Sequence, residues 1–311
     1  MKILGLSCGR PFGNSEVLLR EALTSAQEVN GAEFEIIRLH DLFIKPCTGC
    51  ESCTVRNIKE FEGSTAEGRD ILAGGRPQCV ITIKKEDHIP FFIEKLKEAD
   101  AFIMAAPTYH NTPPGFLITL RDRVNRHLRD FKPGVGAIIG VGGSDFVKLM
   151  LPLMHNCFPQ VFKVVDHMLV DYTPRPAQVL MDEKVISRAQ TLGRNVGKSM
   201  KLPIDNVKWL GEKGGCPICH NNLLLAHDNY VECPVCLING HLKIDKGKTR
   251  IIFEPEEVKK HIGSHWAMQR HREITTDGHK RYDAAKSQIQ EKLEKYKAQK
   301  SVTKPPLLTV R

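Results

Sequence analysis

The chain has 311 residues, 41% of them hydrophobic and 26% charged, a balance that excludes a mostly disordered or fibrous protein. Its formal net charge of +9 suits either polyanion binding or simple solubility. No apolar run reaches the roughly 18–20 residues of a membrane span, and the short start Met1–Gly5 lacks a signal peptide's apolar stretch, so a cytoplasmic protein with no membrane contact is expected.

Lys2–Ser7 (KILGLS) predicts a first strand, and Glu16–Glu28 a helix with Val17, Leu18, Ala22 and Ala26 on one face. Glu33–Leu39 predicts a second strand, Ile89–Ala99 a helix and Ala101–Ala106 a third strand. Gly115–Leu128 reads as a helix, Val135–Val141 as a fourth strand and Phe146–His155 as a helix. A fifth strand is expected at Val164–Val170, followed by an amphipathic helix at Val185–Met200. Residues 201–215 read as a linker and 216–254 as a cysteine-paired module rich in strand residues. Residues 255–311 read as a basic helical tail, with Tyr282, Ala285, Ile289, Leu293 and Tyr296 at helical spacing and a flexible or docking end at Pro305-Pro306.

Strands alternating with helices over residues 1–200 imply an α/β domain whose parallel sheet is covered on both faces. Five units are too few for an eight-stranded barrel and fit a doubly wound, flavodoxin-like sheet of order 2-1-3-4-5. Ligands of such open sheets sit at the carboxyl ends of the strands. The loop after strand one, Ser7-Cys8-Gly9-Arg10-Pro11-Phe12-Gly13-Asn14-Ser15, opens a helix, so its backbone N–H groups and the positive helix end make an anion site. Ser7, Asn14 and Ser15 can add side-chain hydrogen bonds and Arg10 a charge-assisted one. The alternative is that Asn14 or Ser15 merely caps the helix. The loop is neither a Walker A sequence nor a GxGxxG fingerprint, which argues against an NTPase or a Rossmann dehydrogenase.

Three places together resemble the NADPH-dependent FMN reductase branch of the flavodoxin-like superfamily. They are the Ser7–Ser15 loop, the run Ala106-Pro107-Thr108-Tyr109-His110-Asn111 with the following helix that bears Arg121-Asp122-Arg123, and Gly140-Val141-Gly142-Gly143-Ser144. The resemblance covers residues 1–200 and implies bound FMN, with its phosphate on the first loop. Pro107, Thr108, Tyr109, His110 and Asn111 would then lie along the isoalloxazine ring, with Tyr109 stacking on it or edging it. Gly142 and Gly143 would let the backbone approach the ring edge. A homo-oligomer with the flavin near a subunit interface is also implied. The plainer alternative for Tyr109 and His110 is an ordinary strand-end turn.

Ten cysteines stand at 8, 47, 50, 53, 79, 157, 216, 219, 233 and 236. In a reducing cytosol their close C-x2-C spacings favour metal ligation over disulfides. Cys47, Cys50 and Cys53 form C-x2-C-x2-C, a compact run suited to an iron–sulfur centre. This resembles the iron–sulfur flavoproteins of the same superfamily, in which a fourth cysteine follows within a few residues. Here residues 54–78 intervene before Cys79, and the polar, glycine-rich Asn57–Pro77 reads as an insertion. The resemblance implies a [4Fe-4S] cluster on Cys47, Cys50, Cys53 and Cys79; zinc on the same thiols, or bare redox thiols, are the alternatives.

Cys216, Cys219, Cys233 and Cys236 form C-x2-C-x13-C-x2-C, the pattern of a structural zinc ribbon, with a rubredoxin-like iron as the alternative. Cys8 and Cys157 read as small buried residues. His261 and His265 are four apart on an expected helix, but H-E-x-x-H is absent, and the segment reads as a solvated basic helix. Nucleic-acid binding is disfavoured, because aromatic interleaving is thin and the basic residues alternate with acids.

The expectation is therefore an FMN-dependent oxidoreductase that carries electrons between ferredoxin or NAD(P)H and a small acceptor (a quinone, an aromatic compound or dioxygen), through the cluster. No side chain is required as acid or base. One alternative is a cluster-free NAD(P)H-dependent FMN or quinone reductase. The other is a flavin-sensing regulator that contacts DNA or protein through the ribbon and tail.

Overall fold

Apolar runs set the central strands, while the edge strand at Glu33–Arg38 (EFEIIR) mixes charged and apolar residues. The computed structural model describes residues 1–50, 79–84, 87–125, 127, 131–145, 147–262 and 264–299. Strands β1 (Lys2–Ser7), β2 (Glu33–Arg38), β3 (Ala101–Pro107), β4 (Gly134–Val141) and β5 (Phe162–Val170) form one parallel sheet. Its order is β2-β1-β3-β4-β5, as expected. β3 and β4 are buried along almost their whole length, which is why they read as unbroken apolar runs rather than as alternating ones.

Helices α1 (Asn14–Asn30), α2 (Val80–Ile83), α3 (Ile89–Glu98), α4 (Gly115–Val124), α5 (Met150–Cys157) and α6 (Glu183–Ser199) complete this part. Strand alternation splits the core in two. Leu4, Leu6, Phe102, Met104 and Ile138 pack with α3, α4 and α5. Ile3, Ile103, Ala105, Ile139 and Val165 pack with α1 and α6. α1 lies close against α6 because Gly193 has no Cβ to overlap the Ala22 carbonyl. This close packing fixes the helix that leads out of the first loop.

Residues 201–215 do not hang free. Val207 is buried in the second core, Lys163 Nζ donates to the Val207 carbonyl at 2.6 Å, and the Leu210 and Gly211 N–H groups donate to the Val165 carbonyl. The segment thus covers the outer edge of β5, whose carbonyls would otherwise lack partners. Beyond it, β6 (Leu225–Ala226), β7 (Val231–Glu232), β8 (Asn239–Asp245) and β9 (Lys248–Ile252) form an antiparallel sheet in that order. Its small core is the four cysteines with Ile238, against which Phe253 and Val258 pack. The short α7 (Pro255–Val258) follows.

The chain divides into two compact units after residue 263, with the ribbon in the first. The second holds one long helix, α8 (His265–Lys297), capped by Ser264 Oγ, which accepts from the Ala267 N–H at 3.1 Å. The helix begins well before the apolar spacing starts at Tyr282, because its first half is a polar stretch with pairs such as Arg270–Glu273. His261 lies in a bend after α7 while His265 opens α8, so the two do not share a helix face. The expected Pro305-Pro306 tail lies outside the described residues. Among the described residues no helix is long and apolar enough to cross a membrane.

Candidate functional site

The first loop leaves β1 with the Cys8 N–H bonded to the Ala105 carbonyl at 2.8 Å, and turns where the Gly13 N–H meets the Arg10 carbonyl at 3.1 Å. Phe12 within it is left-handed, at φ 55°. Gly13 caps α1 with no side chain. The first bond within the helix runs from Val17 N–H to the Gly13 carbonyl, so the amides of Asn14, Ser15 and Glu16 have no partner inside it. A Cβ on Gly9 would stand 3.0 Å from Ser15 Oγ and 3.4 Å from Pro107 Cδ, filling the space beside them. Arg10 is exposed. An open cradle, free helix amides and a nearby guanidinium fit a phosphate group.

The side chains of this loop divide differently from a simple reading of the motif. Ser7 is buried and donates to Glu16 Oε2 at 3.5 Å. The Asn14 amide donates to the Thr173 and Arg175 carbonyls, both at 2.8 Å, and accepts from the Val179 N–H. Asn14 therefore anchors the β5–α6 loop and offers a ligand its backbone N–H. Beneath the loop, the fully buried Glu16 carboxylate accepts from Arg38 and Arg20. The Arg38 guanidinium, with Arg20 adding to it against the cost of burial, holds Glu16 at about 2. Both guanidinium groups lie over the Phe12 ring, at 5.1 and 5.5 Å. Sequence reasoning missed Glu16; the signal was an acid in the first helical turn with Arg20 one turn on.

After β3, the Thr108 N–H donates to the Val141 carbonyl at 2.7 Å. Tyr109 and Thr112 exchange backbone hydrogen bonds, with His110 at φ 49° and Asn111 at φ 68° between them. This is a type I′ turn, and it leaves Tyr109 half exposed. After β4, Gly142 donates to the Val170 carbonyl, and its own carbonyl accepts from both the N–H and Oγ1 of Thr173. A Cβ on Gly142 would overlap the Val147 side chain, whereas Gly143 is exposed. The three loops thus meet at the carboxyl edge of β1, β3 and β4, and Thr173 and Asn14 tie them to the end of β5.

Cys47 and Cys50 are exposed, Cys79 is partly buried, and Cys53 lies outside the described residues. The two ends of the segment that bears them are held by one residue not foreseen as a site residue, Arg123 of α4. Its side chain is 1% exposed; Nη1 donates to the Lys45 carbonyl and to Asp87 Oδ2, both at 2.6 Å, and Nη2 to Thr82 Oγ1 at 3.0 Å. Lys45 is two residues before Cys47 and Thr82 three after Cys79. Burial opposes ionisation of Cys79, but the Thr82 and Ile81 amides, the Thr82 hydroxyl and the Arg123 charge outweigh it and lower its thiol. A partly ionised thiol is a better metal ligand.

Among the described residues, one group of three or more ligand side chains brings its atoms within 4.8 Å of one another: Cys216, Cys219, Cys233 and Cys236, all buried. Cys47, Cys50 and Cys79 do not form such a group. Cys219 and Cys233 Sγ lie 3.6 Å apart, against roughly 3.8 Å for two thiolates on one tetrahedral zinc. The two knuckles repeat one backbone pattern. His220 N–H bonds the Cys216 carbonyl and Leu237 N–H the Cys233 carbonyl; His220 and Leu237 are both left-handed, at φ 54° and 56°. Hydrogen bonds from the Cys219 and Cys233 thiols lower the Cys216 thiol. Four buried sulfurs with no open position fit a structural ion.

The knuckle is joined to the sheet by a run of rings. His220 stacks on Trp209 at 4.2 Å, Trp209 meets His167 edge-on at 4.9 Å, and His167 Nδ1 lies 3.2 Å from His155 Nε2. Burial lowers His155 to about 4 and His167 to about 3, so both are neutral at physiological pH.

An open parallel sheet of order 2-1-3-4-5, with three loops gathered around a helix start that no side chain caps, defines a flavodoxin-like protein. Residues 1–157 match the family model of NADPH-dependent FMN reductases, and the chain belongs to that family. An iron–sulfur flavoprotein of Methanocaldococcus jannaschii is 30% identical over 221 residues, 65% of this chain and 98% of its own. Flavone synthase cfoJ of Aspergillus candidus is 28% identical over 290 residues, 82% of this chain and 83% of its own. A solved flavone reductase matches 98% of this chain and 100% of its own with a TM-score of 0.77 at 22% identity, which shows a common fold. The protein is a flavin-dependent oxidoreductase.

Proposed function

We propose that the chain binds FMN at the carboxyl edge of the sheet and passes electrons from NAD(P)H or a ferredoxin-type donor to a small conjugated acceptor. The observation that carries this is the uncapped start of α1 beside the Gly9 cradle, next to the Tyr109–Thr112 turn and the Gly142 loop. In this reading the amides of Asn14 and Ser15, the Gly13 turn and the Arg10 guanidinium hold the phosphate, while Ser7 supports the loop through Glu16. Pro107, Thr108, Tyr109, His110 and Asn111 orient the ring, and Gly142 and Gly143 admit its edge. Bound FMN supplies one- and two-electron redox chemistry; the chain supplies position, and no side chain is assigned as acid or base. Residues 1–200 form the flavin-binding part, 216–254 the ribbon and 255–311 the tail.

A flavonoid-type aromatic ketone is the proposed acceptor class, supported by the flavone synthase relative over four-fifths of each chain. A [4Fe-4S] cluster on Cys47, Cys50, Cys53 and Cys79 is supported by the iron–sulfur flavoprotein relative, the Arg123 clamp and the lowered Cys79 thiol. The ribbon is assigned zinc. The exposure of Cys47 and Cys50 favours the second reading, a cluster-free NAD(P)H-dependent FMN or quinone reductase.

Metal, acid-labile sulfide and flavin content of anaerobically purified protein separates these. About four irons and four sulfides per FMN, with one zinc, supports the cluster. FMN and zinc without sulfide leaves the cluster-free reductase, and absence of flavin overturns both.

A further inference from the structure

A cavity of about 730 Å³ lies outside the three loops, at the carboxyl end of β5. Residues 167–173 form one side and the start of α6 another; Gly214, just before the ribbon, and His220 and Asn222 within it also line the cavity. Its size is within the range of about 300–1,000 Å³ usual for small-molecule sites. Thr173 belongs both to the cavity and to the loops, since it accepts from Asn14 and donates to the Gly142 carbonyl.

The charges around the cavity balance. Asp171, Asp182 and Glu212 stand against Lys184, Arg188 and Lys213, and Arg188 is already committed to Asp166 through contacts of 2.6 and 3.0 Å. Such a lining gives no preference for an anion such as a nucleotide. Its apolar part includes Leu169 and Met181, both exposed.

Tyr172 is the informative residue. It sits on the cavity with a left-handed backbone, φ 55°, and the residue is 64% exposed. A bulky aromatic residue in this region is strained. The bonds that Thr173, one residue on, makes to Gly142 and Asn14 hold it there, and strain retained in this way gathers at ligand sites. The result is an aromatic residue whose backbone is held at the cavity.

We propose that this cavity binds a neutral, planar, hydroxylated aromatic ketone, the body of the acceptor, stacked on Tyr172 and bounded in part by the ribbon. The role as acceptor site rests on the flavin reading above, but binding itself does not. The ribbon is then a wall of the substrate site as well as a separate fold.

The test is calorimetric titration of the purified protein with apigenin, a planar hydroxylated flavone, in wild type, Tyr172→Asn and Tyr172→Phe. Asparagine tolerates the left-handed backbone, so that variant removes the ring without adding strain. Tyr172→Asn is expected to weaken apigenin by about three- to tenfold, the worth of an aromatic pair, and Tyr172→Phe to bind within about twofold of wild type. FMN content should be the same in all three. No apigenin binding to wild type, or equal binding to wild type and Tyr172→Asn, overturns the proposal. Apigenin binding that depends on Tyr172 in a protein that takes up no FMN would support the cavity and sink the redox reading instead.

Discussion

Replacing Arg123 by Met should be among the most damaging single changes in the sheet domain. The Arg123–Asp87 pair is buried on both sides, at 1% and 0% side-chain exposure. Removing the guanidinium leaves the Asp87 carboxylate in the interior without its cation and takes donors from the Lys45 carbonyl and the Thr82 hydroxyl. Breaking such a pair costs about 3–5 kcal/mol, a large share of the roughly 5–15 kcal/mol of a typical domain. At this size, about 2–4 °C per kcal/mol, the melting temperature should fall by roughly 6–20 °C. Adding Asp87→Asn should recover much of that loss, because the amide oxygen can still accept from Lys45 or Ile89, which bond Asp87 now, and no charge stays buried. In the cluster reading, acid-labile sulfide per FMN should fall with it, because Arg123 joins the flanks of Cys47 and Cys79. Calorimetric melting and sulfide analysis of both variants check this. A single variant that melts within about 2 °C of wild type, or a double variant no better than the single, would refute the reasoning.

Glu16, held at about 2 against an ordinary 4.5, contributes about 3 kcal/mol. Its folded value is depressed, so that contribution is present above pH 4.5 and is lost as pH falls toward 2; Glu16→Gln should remove this acid slope in urea unfolding measured across the window. Gly142→Ala, which forces a methyl into Val147, should destabilise by about 1–3 kcal/mol and weaken FMN binding in a fluorescence titration; unchanged affinity would remove Gly142 from the ring site. In the zinc reading of the ribbon, chelation should unfold the knuckles, since a structural metal supplies the folding energy of such a site. The Trp209–His220 stack should break with it, read as a change in tryptophan fluorescence with FMN retained; unaltered fluorescence after stoichiometric release would oppose this.

What the sequence discloses depends on how local its cause is. The sheet order follows from apolar runs alternating with helical ones, and the ribbon from cysteine spacing alone, since two C-x2-C knuckles leave few ways to arrange four sulfurs. The loop positions are legible for the same reason, but the roles of their side chains are not. Asn14 and Ser7 look like ligand groups because their types suit a phosphate, yet their partners are Thr173, Arg175 and Glu16. Only the first turn of α1 bears a local sign of Glu16. Arg123 is visible within Arg121-Asp122-Arg123, but its partners Asp87 and Lys45 are 36 and 78 residues away, beyond any periodicity. The His261 and His265 pairing fails for a local reason that could have been read: Ser264 stands between them as an N-cap.

Glu16–Arg38 and Arg123–Asp87, each with a fully buried carboxylate, share a position as well as a cost. Charges taken out of water gain little over a well-packed apolar pair, so stability alone does not account for Glu16–Arg38 and Arg123–Asp87. Each lies under a loop that the proposed function assigns to a ligand, the first to FMN and the second to the cluster. Arg38 reaches from β2 to the first turn of α1, and Arg123 reaches from α4 to the carbonyl just before Cys47. A charge-assisted bond of fixed direction sets the height and angle of a loop in a way that an apolar contact does not. The first amides of α1 then have no partner within the helix, and the Cys79 sulfur is held by the Thr82 and Ile81 amides, because the charges that shape their loops are satisfied from within.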